Sequence, residues 1–343
     1  MAVNKLNKRD RRKILDFYSH FGYFFSIDIN PHPRRFTMPR NARFTLPHRP
    51  TVYHVISRTA LPGLPLGDIE KNRLLEIIKY FSSIYFVEVL GFCIMGNHWH
   101  LAVKIYPRDY ATRQEVQERF VKRYGEDVHF GDQEMEKFSK KWTDLSEFVR
   151  EIKQTFSRYY NKRHNRRGFF WGERFKSMIV QEGSTLVNML AYIDLNPIRA
   201  GIVKKPEDYR WSSLGYHTQT GNKDGFLSID FGLKEWNEQD PKEIVRKYRQ
   251  FVYETGAVDA GKGKTIDQKV VEKARKKGYK ISRVERFRYR CRYFTDSGVI
   301  GGKDFVQEVF DQVKHLLGSK DERKFTPVGG VEGLYSMKRL GES

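Results

Sequence analysis

The residues of this chain best suited to chemistry are two histidines and a tyrosine-asparagine pair. In His98-Trp99-His100 the imidazoles stand two apart within HWHLAVKI at 98–105, a stretch that reads as a strand. On a strand that spacing turns both rings to one face and Trp99 to the other, so one face offers two nitrogen ligands to a metal ion. The same pattern also arises as two exposed strand histidines, and in a chain with ten histidines an HxH alone is an unspecific signal. The second pair is Tyr192 and Asn196, four apart in YIDLN. On a helix they share a face, so a hydroxyl and an amide oxygen can address one site. Pro197 disfavours helical geometry at Asn196 and places the amide at the helix end. The ordinary alternative is a tyrosine covering the core and an asparagine ending a helix. Tyr159 and Tyr160, on another helix beside basic residues, compete as hydroxyl donors.

These groups need elements to hold them. TVYHVISR at 51–58 alternates in the manner of a half-buried strand. Residues 68–84 space Leu74, Ile77, Ile78 and Phe81 as the inner stripe of a helix. Strands at 85–95 and 98–105 follow, joined at Gly96-Asn97, a dipeptide with the chemistry of a tight hairpin turn. A charged stretch at 107–143 reads as a helical insertion, 145–163 as a long amphipathic helix, and 175–181 as a strand. A helix from about 184 to 196 then takes Ser184 as N-cap and Pro197 as stop. A hairpin among interleaved strands and helices predicts an α+β fold, with helices on the faces of a small antiparallel sheet.

Composition narrows the partners. The chain has 343 residues, a formal charge of +21 and 14% aromatics. That charge predicts attraction to a polyanion, and cations interleaved with aromatics suit unpaired nucleic acid, where phosphates meet Lys and Arg while bases stack on rings. Cys93 and Cys291 are the only cysteines, which excludes a disulfide framework or a cysteine zinc site and fits a cytoplasmic protein. Apolar runs are too short to span a bilayer. Three regions follow: 1–37, a basic and aromatic extension lying upstream of a candidate start at Met38; 38–215, which carries the histidine and tyrosine-asparagine pairs and which the resemblance given below marks as a catalytic domain; and 216–343, a basic C-terminal extension or small helical DNA-binding module. The last contains a helix at 241–254, a Gly- and Lys-rich linker and the run RVERFRYRCRYF.

Four segments carry a more specific signal: YHVISR (53–58), GFCIMGNHWHLAV (91–103), QTFSRYYNKRHNRRGFFWGERFKS (154–177) and YIDLNPIRAGIV (192–203), with Pro206 and Tyr209-Arg-Trp-Ser-Ser213 after them. In this order, over about residues 38–215, they resemble the HUH single-tyrosine transposases, close to the REP-associated kind and related to insertion-sequence transposases that move as single strands. The resemblance implies a ferredoxin-like HUH endonuclease core and a single-strand DNA endonuclease and strand transferase, acting at DNA hairpins as monomer or homodimer. It implies Tyr192 as nucleophile, forming a 5′-phosphotyrosine, and His98, His100 and Asn196 as ligands of Mg²⁺ or Mn²⁺. Some relatives place a glutamine where Asn196 stands, and the shorter amide reaches less far.

Arg58, Arg158, Arg163, Arg174 and Lys176, with Trp171 as a stacking platform, are the candidate DNA contacts. Phe170 and Trp171 also fit a core. His54 and His164 have no spacing partner and read as structural or solvated. A catalytically silent nucleic-acid-binding protein of the same fold is the alternative function. A zinc hydrolase is disfavoured because no third His, Asp or Glu stands at a suitable spacing. Kinase and serine or cysteine hydrolase patterns do not occur.

Overall fold

The computed structural model describes residues 46, 48–229, 238–258 and 263–280, and beyond these 297–301, 303–304, 307, 311, 326–327 and 335–338. The expectations for 1–37, for Met38 as a start and for the run at 283–294 lie outside the described residues.

Four strands build the central sheet: β1 (Thr51–Arg58), β2 (Val87–Ile94), β3 (His98–Ile105) and β4 (Lys176–Val180). Their order is β2-β3-β1-β4, and every pairing is antiparallel. Because β3 runs against both β1 and β2, those two run the same way with β3 between them, the split β-α-β arrangement of a ferredoxin-like fold. The crossover between them is α1 (Asp68–Ser82), which buries the predicted stripe of Leu74, Ile77, Ile78 and Phe81.

Alternation along the strands separates two layers. Trp99, Leu101 and Val103 are fully buried on one face. The layer on that side includes α4 (Leu145–Arg163), whose Phe156 meets Trp171, itself edge-on to Trp99. Before α4, the insertion folds as α2 (Arg113–Tyr124) and α3 (Asp132–Trp142). A Thr112–Glu115 capping box opens α2, and Trp142 anchors α3 in the core. The other face carries His98 and His100 and is covered by α5 (Ser184–Asp194). Gly91 permits that cover: a Cβ there would stand 2.5 Å from Leu190 Cδ2.

Three local expectations change. The β2-β3 connection turns at Gly96-Asn97, with Met95 N–H donating to His98 O at 2.8 Å, but neither residue has a positive φ. It is not the primed turn that a glycine there suggests. Gly96 is small for another reason: a Cβ would stand 2.8 Å from Leu64 Cδ2, in the loop covering the turn. Gly183, not Ser184, is the N-cap of α5. Pro197 does not stop the chain's helical course. Leu195 remains right-handed and α6 (Asn196–Arg199) adds one turn with the proline near its start, where its missing N–H is not needed.

The chain beyond residue 215 returns to the layer that holds α5. After α7 (Ser213–Thr220), helix α8 (Pro241–Ala257) places Tyr248 Oη 2.5 Å from Asp194 Oδ2, at the end of α5. Arg249 donates to Glu207 Oε1 at 2.6 Å, with both side chains buried, and Tyr253 donates to the same carboxylate. A short α9 (Gln268–Lys276) packs on α8. Strands β5 (Ser297–Gly301), β6 (Thr326–Pro327) and β7 (Tyr335–Lys338) form a second sheet in the order β5-β7-β6. No described helix is long and apolar enough to cross a membrane.

Candidate active site

Cross-strand register decides what shares the histidine face. His98 lies opposite Arg58, His100 opposite Ile56, and Ala102 opposite His54, while β4 sets Lys176 opposite Ile56 and Met178 opposite His54. Directly paired residues project to the same side, so His54, Arg58, His98, His100 and Lys176 occupy one face. Lys176 and Met178 are exposed, which leaves the β4 side of this face open to solvent.

The imidazoles form a connected group. His98 and His100 have ring centroids 5.1 Å apart, and His100 stacks on His54 at 5.2 Å with nearly parallel planes. Each predicted ligand has one nitrogen engaged: His98 Nδ1 lies 2.7 Å from Asn97 Oδ1, and His100 Nδ1 lies 3.0 Å from His54 Nε2. The Nε2 atoms are left for a ligand. Burial holds all three rings neutral. It lowers His54 and His98 to about 4, with Arg58 adding to the effect at His98, and it pushes His100 well below the usual histidine range.

Tyr192 stands over this group from α5, its ring edge-on to His100 at 5.9 Å and to His54 at 6.2 Å. Arg199, seven residues on at the end of α6, sets its guanidinium 5.1 Å from the Tyr192 centroid. Asn196 is buried, and its Nδ2 donates to Tyr192 O at 2.9 Å and to Ile193 O at 3.2 Å. Both partners are acceptors, which fixes the amide orientation and turns Oδ1 away from the helix. Two neutral imidazoles whose Nε2 atoms are not engaged by protein groups and one amide oxygen are a donor set that fits a divalent cation with open positions. Among the described residues no three His, Cys, Asp or Glu side chains are placed to hold a metal ion together.

The competing tyrosines lie elsewhere. Tyr160 is buried on α4, stacked on His164 at 4.1 Å, and Tyr159 packs under Arg73. Both belong to the layer behind the sheet.

The predicted DNA contacts separate into three groups. Arg58 and Lys176 flank the histidines. Arg158 and Arg174 line a groove of about 780 Å³ beside α4, together with Arg150, Lys153 and Glu147. Arg163 is turned inward, donating to Glu70 at 3.2 Å and tying α4 to α1. Trp171, the expected stacking platform, lines the same groove but packs as core: it is 9% exposed, meets Trp99 and Phe156, and donates through Nε1 to Lys153 O at 2.9 Å. The exposed aromatic of this segment is Phe169, 89% accessible on the groove rim. Its presentation follows from the loop, where Asn161 Nδ2 holds Gly168 O at 2.8 Å and Gly168 adopts φ +96°. Phe170 and Trp171 then turn inward. The groove adjoins the histidine end of the sheet, since Trp171 bridges to Thr59 and Gly172 N–H donates to Arg58 O.

Neither a family model nor a curated protein matches the chain. Among solved structures, similarity is found to a REP-associated tyrosine transposase bound to a REP hairpin, at 16% identity and TM-score 0.37, covering 56% of this chain and 90% of that one. A candidate transposase from Deinococcus radiodurans matches at 20% identity and TM-score 0.22, covering 46% and 96%. Arg199 and His54 are the residues of interest that spacing arguments missed, and neither carried a local signal.

Proposed function

We propose that the protein is a metal-dependent single-strand DNA endonuclease and strand transferase, a transposase that acts at hairpins. The observation supporting this most is the placement of Tyr192 against a histidine pair whose Nε2 atoms are free. His98, His100 and Asn196 would hold Mg²⁺ or Mn²⁺, which when bound supplies positive charge at the scissile phosphate. Tyr192 attacks phosphorus through its phenolic oxygen and gives up its proton. The P–O3′ bond breaks and the departing oxygen takes up a proton, leaving a 5′-phosphotyrosine and a free 3′-hydroxyl. A second 3′-hydroxyl reverses the step and reseals the strand, since the phosphodiester energy is retained in the enzyme ester.

The chain's own charges assist. The Arg199 cation over the Tyr192 ring offsets negative charge that develops on the phenol oxygen during attack. Arg58 and Lys176 sit where a strand crossing the histidine face would bring its phosphates. The groove lined by Arg158 and Arg174 extends this track, with Phe169 as the base-stacking ring.

Labelled single-stranded hairpin DNA and its duplex counterpart, incubated with Mn²⁺ or with chelator, test the proposal. Metal-dependent nicking of the single strand alone is expected. Tight binding without nicking across a range of hairpins would instead support a catalytically silent nucleic-acid-binding protein.

A further inference from the structure

His100 is 3% exposed and His54 2%, and their contact through His100 Nδ1 and His54 Nε2 at 3.0 Å has one proton to share between two neutral rings. Two arrangements exist. In the first, His54 Nε2–H donates to His100 Nδ1. The proton of His100 is then on Nε2, and that nitrogen has no lone pair for a cation. In the second, His100 Nδ1–H donates to His54 Nε2, which frees the Nε2 lone pair of His100 and places the proton of His54 on Nδ1. That Nδ1 is buried and has no hydrogen-bond partner. The second arrangement therefore buries an N–H without an acceptor, which folded proteins avoid unless something compensates.

We infer that His54 is a positioning residue that sets the tautomer of His100, and that a divalent cation on the His98-His100 pair selects the second arrangement of the His54-His100 couple. The inference rests on the metal-binding reading proposed above. The exchange is balanced: the bridging proton passes from His54 Nε2 to His100 Nδ1, His100 Nε2 releases a proton to solvent, and His54 Nδ1 takes one up. No net charge changes. β1 brings His54 to this role from 46 residues away, by the register that sets it opposite Ala102 and diagonal to His100. Asn97, next to His98 in the chain, plays the corresponding part for the other ligand.

The test uses the full chain. Mn²⁺ affinity is measured by calorimetry for the wild type, His54→Phe and His54→Gln, with unfolding of each followed in the absence of metal. Wild type binds. His54→Phe, which keeps a ring in the buried space but accepts nothing, weakens binding about 10–100-fold. His54→Gln, whose amide oxygen can accept from His100 Nδ1–H, recovers a large part. Equal affinity for wild type and His54→Phe overturns the inference and leaves the metal site standing, whereas a wild type that binds no Mn²⁺ overturns the metal site itself. Should His54→Phe fail to fold, ¹⁵N spectra of the wild-type imidazoles with diamagnetic Zn²⁺ decide. Protons on both Nδ1 atoms support the inference, and a proton on His100 Nε2 in the loaded form overturns it.

Discussion

Gly91 sets how closely the tyrosine helix approaches the sheet, and adding a single methyl there tests whether that approach governs the chemistry. In Gly91→Ala the new Cβ would stand 2.5 Å from Leu190 Cδ2 and 2.9 Å from Ser213 Oγ. Neither neighbour yields easily. Leu190 is 1% exposed, and Ser213 Oγ is held by Phe92, accepting from its N–H at 2.7 Å and donating to its carbonyl at 3.2 Å. Reaching an ordinary contact requires α5 to move by about 1 Å, and overpacking of this kind costs about 1–3 kcal/mol. Leu190 lies two residues before Tyr192, so the displacement is carried to the phenol. A misplacement of about 1 Å in a reacting group costs on the order of 100-fold in rate. The assay is the single-turnover rate of strand cleavage beside urea unfolding of the same protein. Leu190→Ala in the Gly91→Ala background removes the clash and restores part of the rate, a coupling visible in a double-mutant cycle. A Gly91→Ala protein with wild-type cleavage and wild-type stability refutes the reasoning.

Other perturbations separate the parts of the account. Phe169→Ala weakens binding of single-stranded DNA by about 1–3 kcal/mol while Phe169→Trp preserves it, measured by fluorescence titration at fixed salt; an unchanged affinity for Phe169→Ala removes Phe169 from the DNA surface. Arg249→Met leaves the buried Glu207 carboxylate without its counter-charge and destabilises the fold by about 3–5 kcal/mol, seen as a lower urea midpoint. For pH, burial holds His54, His98 and His217 near 4 in the fold against about 6.5 unfolded, so their contribution is present above 6.5 and is lost as pH falls toward 4. From pH 7 to 5 that loss is about 2 kcal/mol per histidine. Asp194, raised by burial to about 6, acts in the opposite sense and returns about 1 kcal/mol over the same interval. Net stability therefore falls between pH 7 and 5, and urea unfolding at several pH values checks it.

Much of the architecture was legible because the chain states its periods clearly. Alternation marked β1, the hairpin pair at Gly96-Asn97 marked β3, and the stripe from Leu74 to Phe81 marked α1. The period of two also separated Trp99 from the histidines, as the buried Trp99 and the touching histidine rings show. What pattern could not supply was contact across the sheet. His54 has no partner along the chain, and only the β1-β3 register brings it to His100. Trp171 and Phe169 look equivalent in a basic aromatic run, and a positive φ at Gly168 decides which of them faces solvent. Tyr248 reaches Asp194 from 54 residues away, a pairing of two buried polar groups that no local motif encodes.

The central claim is that Tyr192 is the nucleophile, and mapping the covalent adduct tests it most directly. Protein trapped on single-stranded DNA in Mn²⁺ is digested with nuclease and protease, and the peptide carrying the residual nucleotide is sequenced by mass spectrometry. The account predicts a phosphodiester on Tyr192, absent with chelator and absent in Tyr192→Phe. An adduct on Tyr159 or Tyr160, or one that persists in Tyr192→Phe, contradicts it.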